Sequence, residues 1–330
     1  MKRLRGQFHA SKMTNMLRFQ PIYQTRVWGG RHLETLLGRS LPDTRPYGES
    51  WELCDRLEAQ SVVTEGSHRG MTLHQLWMEH RDEIFGQKHR QNPALRFPIL
   101  LKILDCCDVL SLQVHPPADV ATRLGGEPKT EMWFVAHAEK GAQIYAGLKQ
   151  GVTRDAFEES LQKGTVEDLV HSTEPKSGEF MFVESGRIHA LGAGLLVYEI
   201  QQNSDTTYRV FDWNRVGLDG QPRPLHVAES LQCIDFHDFE PSMQSPSSDG
   251  LLVKCDYFVT RRSTLPPGQS TTIKPDADDF MCLAVVRGAG KIGGSEILHG
   301  DFLVLPANHT ASAIAAGADG LEWLEITLPF

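Results

Sequence analysis

The chain has 330 residues, 40% hydrophobic and 23% charged, with a formal net charge of -9. The length suits about two domains or one large β-rich unit. The acidic balance, with no basic run, excludes nucleic acid as the main partner, and no apolar run reaches the ~18 residues of a membrane span. The six cysteines include no Cys-x-x-Cys pair, and Cys106 and Cys107 are adjacent. That pattern suits neither a disulfide framework nor a thiolate zinc site, so reduced thiols in a cytoplasmic protein are expected.

The first residues are basic (Lys2, Arg3, Arg5, Lys12) and lack the apolar stretch of a signal peptide. Met16-Leu-Arg-Phe-Gln-Pro21 reads as a natural start, so residues 1–16 are expected to form a disordered extension. Tyr47-Gly-Glu-Ser-Trp-Glu-Leu53 and Gln60-Ser-Val-Val-Thr64 have the aromatic and β-branched character of strands. Thr72 to Phe85 reads as a helix, capped by Thr72 with Gln75 in a capping box and striped by Leu73, Leu76, Trp77 and Ile84. Pro98-Ile-Leu-Leu-Lys-Ile-Leu104 suits a strand buried on both faces.

Thr153 to Lys163 predicts a second helix, begun by Thr153 and ended by Gly164, with a further helical turn over residues 165–170. Phe180-Met-Phe-Val183 and Leu195-Leu-Val-Tyr-Glu-Ile200 return to strand character. Residues 236–250 are rich in Ser and Pro and read as a linker, and from Leu251 to Leu328 only strands and turns are expected. The segment Gly178 to His189 resembles Gly300 to His309, each running from Gly-acid-Phe through apolar steps and a turn to a histidine. Two related small β-barrels follow from this, the second degraded, with Gly288-Ala-Gly290 as a hairpin turn and His309 structural. The expected layout is a catalytic domain over 17–240 with short helical insertions and a degenerate β domain over 251–330.

The chemistry concentrates in Ser111-Leu-Gln-Val-His-Pro116, Lys129-Thr-Glu131 and Gly186-Arg-Ile-His-Ala190. Gln113 and His115 stand at i and i+2, on one face of a strand. With Glu131 and His189 they form a nitrogen- and oxygen-donor set suited to zinc or a similar divalent ion, with a position left for water or substrate. No Gly-rich phosphate loop is present.

These segments resemble the type I mannose-6-phosphate isomerases in their short bacterial form, a family built on the cupin β-barrel. The landmarks are Val27-Trp-Gly-Gly30, Gly48-Glu-Ser-Trp51, Leu112-Gln-Val-His-Pro116, Lys129-Thr-Glu-Met-Trp133, Gly186-Arg-Ile-His-Ala190 and Gln201-Gln-Asn-Ser-Asp-Thr-Thr-Tyr-Arg209. Their order and spacing extend from about Leu17 to the end of the chain. The resemblance implies a mostly β fold of two cupin-type, jelly-roll-like barrels with a small helical segment. It implies a zinc enzyme, one ion per chain, interconverting mannose 6-phosphate and fructose 6-phosphate through an enediol or enediolate. The implied metal ligands are Gln113, His115, Glu131 and His189, and the implied catalytic residues are Arg209, Lys129 and Asp205. Ser111, Lys129 and Arg209 are the candidate anchors for the substrate phosphate. Pro128 stands where some members carry a histidine, so a mechanism using that histidine does not apply. Glu184 replaces the proline usual in the second cupin motif.

Two other readings share the barrel: an iron-dependent cupin oxygenase, and a non-catalytic metal-bearing sugar-phosphate binding protein. Lys129 and Arg209 argue against the first, because a neutral substrate needs neither cation. The expected partner is a small sugar phosphate, with no nucleic acid and no membrane, and a monomer is the expected state.

Overall fold

The computed structural model describes residues 16–329; the expectation of a disordered extension lies, apart from Met16, outside the described residues. The fold is mostly β, as expected, and its strands form three antiparallel sheets. Among the described residues no helix is long and apolar enough to cross a membrane.

Two of the sheets frame the site. One has six strands, running in space Ile22–Gly30, Tyr47–Leu53, Ile99–Cys106, Leu195–Gln202, Glu131–Ala138 and Phe180–Val183. The other has five: Tyr208–Phe211, Leu112–Val114, His189–Leu191, Ile144–Leu148 and Val170–Thr173. Their facing apolar side chains share a core that includes Trp28, Leu104, Trp133, Ala146, Leu191 and Val197. The third, eight-stranded sheet holds the strands from Leu251 onward, and also takes in Leu17–Arg18, which pairs with Leu303 and Val304. Its own core is built on Leu283, Val285, Leu303, Ile314 and Trp323. A larger cluster, with Trp77, Phe85, Phe97, Tyr198, Phe280 and Phe302, joins it to the six-stranded sheet and the helices.

Local signals account for most elements. Thr72 caps Leu73–Glu79 through a full capping box: Gln75 N donates to Thr72 Oγ1 at 3.1 Å and Thr72 N donates to Gln75 Oε1 at 2.9 Å. Thr153 caps Arg154–Lys163, and Gly164 ends it in the left-handed region at φ 68°.

Several expectations are corrected. The helix foreseen over residues 72–85 is two pieces, Leu73–Glu79 and Arg81–Ile84, because His80 leaves the helical region at φ -123°, ψ 24°. Residues 60–64 form only isolated bridges, such as Phe19 with Val63 and Val62 with Thr72, since no full strand lies alongside. Gly288-Ala-Gly290 is no turn. It lies inside the long strand Met281–Ile292, where the register shifts and Gly288 lets Gly320 O come so close that an added Cβ would sit 2.2 Å from it. The hairpin turns at Gly293 and Gly294 instead. The helix Val227–Cys233 was not anticipated; its few apolar positions give too little periodicity.

Candidate metal centre and its cavity

Cross-strand register assembles the site. His189 and Arg209 are the two antiparallel neighbours of Gln113, so the three form one row across adjacent strands of the five-stranded sheet. On the six-stranded sheet Glu199 stands between Lys102 and Trp133 in another row, and Glu131 lies two residues from Trp133 on the same face. The opposed faces bring His115, Glu131 and His189 together, each with a candidate ligand atom within 4.8 Å of the others and all three side chains buried. Gln113 joins them, its amide nitrogen 3.3 Å from His189 Nε2; turning that amide end for end presents its oxygen instead.

The donor set fits a divalent cation on three counts. His115 Nδ1 donates to Thr206 O at 2.9 Å and His189 Nδ1 donates to Arg187 O at 2.8 Å, which leaves each Nε2 as an unprotonated acceptor. Those Nε2 atoms lie 3.4 and 3.7 Å from the Glu131 carboxylate. Burial above all holds both imidazoles neutral, with pKa values brought down to about 3 for His115 and about 4 for His189. Finally, both Glu131 oxygens are buried and accept no well-formed hydrogen bond. Burial works against that carboxylate's charge, but the Lys129 ammonium above all outweighs it and keeps its pKa well below the usual range. Lys129 Nζ is 2.8 Å from Glu131 Oε2 and 3.2 Å from His115 Nε2, an ion pair without ideal hydrogen-bond angles at the carboxylate. An ammonium thus already supplies positive charge to these ligand atoms.

A cavity of about 600 Å³ opens beside this cluster. Of the residues picked out in the sequence, Ser111, Gln113, Lys129, Asp205 and Arg209 line it. Ser111 is buried and its hydroxyl donates to Gln113 Oε1 at 3.4 Å. Asp205 is exposed. Arg209 Nη1 donates to Pro224 O at 2.7 Å, while its Nε is buried without a partner. Burial, and then the nearby Arg223, lowers the Arg209 pKa from the usual arginine value.

A second charged layer lies on the same wall; sequence reasoning placed Glu199 near the site in a supporting role but missed Lys102, Glu49 and Arg26. Lys102 Nζ lies 3.3 Å from Glu199 Oε2 and 3.9 Å from Glu49 Oε2, all three buried. Arg26 Nε donates to Glu49 Oε1 at 2.7 Å. Burial opposes the charge of Lys102, yet Glu199 and Glu49 outweigh it and raise its pKa. Glu49 is brought down to about 2 by Lys102 and Arg26 against the cost of burial. Burial, then the charge of Glu131, raises the Glu199 carboxyl above its ordinary value. The available signal was the lysine interrupting an otherwise apolar run at Lys102. The loop with Gly217, Leu218, Asp219 and Arg223 also lines the cavity, and it carries no sequence mark of that role.

The mostly β fold sets a buried His–Glu–His cluster, of a kind that could hold a metal ion, beside a charged cavity, as in a metal-dependent β-class enzyme. Residues 16–126 match the family model described as phosphomannose isomerase type I, catalytic domain. The chain is 34% identical over 305 residues to the mannose-6-phosphate isomerase ManA of Bacillus subtilis (strain 168), covering 89% of this chain and 93% of that protein. It is 33% identical to the mannose-6-phosphate isomerase of Streptococcus mutans, over 89% of this chain and 93% of that one. The crystal structure of the mannose 6-phosphate isomerase from Bacillus subtilis superposes with a TM-score of 0.82 at 29% identity, covering 95% of this chain and 99% of that chain. The chain belongs to the type I mannose-6-phosphate isomerase family.

Proposed function

We propose that this protein interconverts mannose 6-phosphate and fructose 6-phosphate, with one zinc ion held by Gln113, His115, Glu131 and His189. Family membership supports the reaction, and the buried Glu131 carboxylate facing two neutral Nε2 atoms is the observation that carries the metal reading. A bound divalent ion stabilises negative charge developing on the sugar oxygens of an enediolate.

The chain's own residues supply the rest of the chemistry. Lys129 and Arg209 place fixed positive charge along the cavity, where such preorganised donors are worth about 3–4 kcal/mol each. Isomerisation also moves a proton between C2 and C1, which asks for a group that holds and releases one near neutrality. Four carboxylates line the cavity: Glu49, Glu199, Asp205 and Asp219. Asp205, exposed, and Glu199, buried beside Lys102 with its pKa raised by burial and then by Glu131, are the candidates for that proton transfer. For the phosphate, Arg209 is the strongest of the three anchors, because its Nε lacks a partner while Ser111 is bonded to Gln113 and Lys129 to Glu131.

The test is a coupled assay of fructose 6-phosphate formed from mannose 6-phosphate, before and after chelation and with zinc restored. Activity lost to the chelator and regained with zinc is expected. A folded, zinc-loaded protein without activity would overturn the reading.

A further inference from the structure

A second group of metal-type side chains lies outside the cavity. His68, in the turn between Thr64 and Met71, meets His80 and Glu83 at the corner of the two short helices, with a ligand atom from each within 4.8 Å of the others. The Glu83 carboxylate bridges the imidazoles: its Oε2 is 3.2 Å from His80 Nδ1 and its Oε1 is 3.7 Å from His68 Nε2. The two rings meet edge to face at 5.4 Å. For metal–ligand bonds of about 2.0–2.2 Å, tetrahedral ligand atoms stand roughly 3.4 Å apart, and the distances from each imidazole to its own Glu83 oxygen fall on either side of that value. Ser67 Oγ lies 3.1 Å from His68 Nδ1, so a proton held there leaves Nε2 as the donor facing Glu83. The neighbouring cation is turned away, since the Arg81 guanidinium stacks 4.2 Å over the Trp77 ring and donates to Trp77 O and Asn92 O. His68 is only 12% exposed, while His80 and Glu83 reach solvent at 33% and 50%, which gives an ion an entry path and a water for its fourth position.

We infer that His68, His80 and Glu83 form a second, peripheral site for a borderline divalent ion such as zinc, which clamps the 64–71 turn to the helix corner at His80. Two imidazoles and one carboxylate are the donors such ions prefer over magnesium or calcium. The clamp joins segments 12 or more residues apart, and its turn is also tied through Glu65 to Arg18, 3.2 Å away. The break at His80 that separates the two helices sets its ring beside Glu83, three residues on.

The inference is independent of the catalytic reading, and one experiment separates them. Wild type, His80→Ala, His189→Ala and the double variant are stripped, and zinc uptake per chain is measured against a chromophoric chelator. The expected uptakes are about two, one, one and none, with isomerase activity at saturating zinc unchanged in His80→Ala. Equal uptake by wild type and His80→Ala overturns the peripheral site, whatever His189→Ala does. Equal uptake by wild type and His189→Ala counts only against the central one. Glu83→Gln, which keeps the shape of the corner, is expected to weaken the same equivalent at least tenfold, and unchanged affinity there also overturns the clamp.

Discussion

Lys102 and Glu199 are direct cross-strand partners, and their charged ends meet 3.3 Å apart in a wall from which water is nearly excluded. A buried ion pair adds little net stability, yet removing one partner leaves an uncompensated charge. Lys102→Met leaves Glu199 facing only the more distant Lys129, 4.0 Å away, and removes one of the two cations facing Glu49. It is expected to cost about 3–5 kcal/mol of unfolding free energy. The Lys102→Met/Glu199→Leu double variant should recover a large part of that loss. Urea unfolding of the three proteins checks this; a double variant no more stable than the single one would show that charge burial is not the cause.

Lys129 touches the candidate ligand atoms directly. Its ammonium lies 2.8 Å from Glu131 and 3.2 Å from His115. Replacing it with methionine removes a fixed charge from the cavity and a competitor for the cation's ligands. The expected result is a fall in kcat of about 10²–10³ with zinc retained as tightly as in wild type or more so. A variant that loses zinc and activity together would make Lys129 a structural support for the ligands instead.

Glu49 sets an acid limit on stability. Its pKa is depressed to about 2 in the folded protein, against roughly 4.3 when unfolded. The contribution is therefore complete above about pH 5 and is lost as pH falls from the unfolded toward the folded value. Glu49→Gln resembles the protonated state, so it should be less stable than wild type by on the order of 3 kcal/mol at pH 7. That gap should start to close below about pH 4.5. Chemical unfolding of both proteins across pH 7 to 3 tests it, and a constant gap would place the effect in hydrogen bonding alone.

Much of this candidate site was legible because the residues offered as ligands sit in short, polar-in-apolar segments. Gln113 and His115 break a strand pattern in a way that core packing does not require, and Glu131 and His189 do the same. The charged wall was harder to read. Arg26, Glu49 and Lys102 come from three different strands, brought together by the register of Gln24 with Glu49 on one side and of Trp51 with Lys102 on the other. Periodicity assigns such residues to a face without saying which face closes on the cavity. The helix break at His80 escaped notice for the opposite reason, since the apolar stripe from Leu73 to Ile84 continues across it while tertiary packing overrides the local signal.

The glycines of the first two landmarks acquire a packing reason in the structure. Gly29 and Gly48 lie on neighbouring strands at a close approach: a Cβ on Gly29 would sit 2.4 Å from Gly48 N, and one on Gly48 would sit 2.6 Å from Trp28 Cζ3 and 2.7 Å from Arg26 Cβ. Trp28 and Arg26 both line the cavity, so the missing side chain at Gly48 positions them. Gly48→Ala must push the indole and the arginine stem outward, at a cost of about 1–3 kcal/mol by the usual scale of overpacking. Because the displaced groups face the substrate space, kcat/KM is expected to fall about tenfold or more even where the variant is fully folded. Gly29→Ala, which meets backbone rather than side chain, should lose more stability. Steady-state kinetics with parallel urea unfolding decides the matter. A Gly48→Ala enzyme with unaltered kcat/KM would mean that this wall yields without disturbing the site.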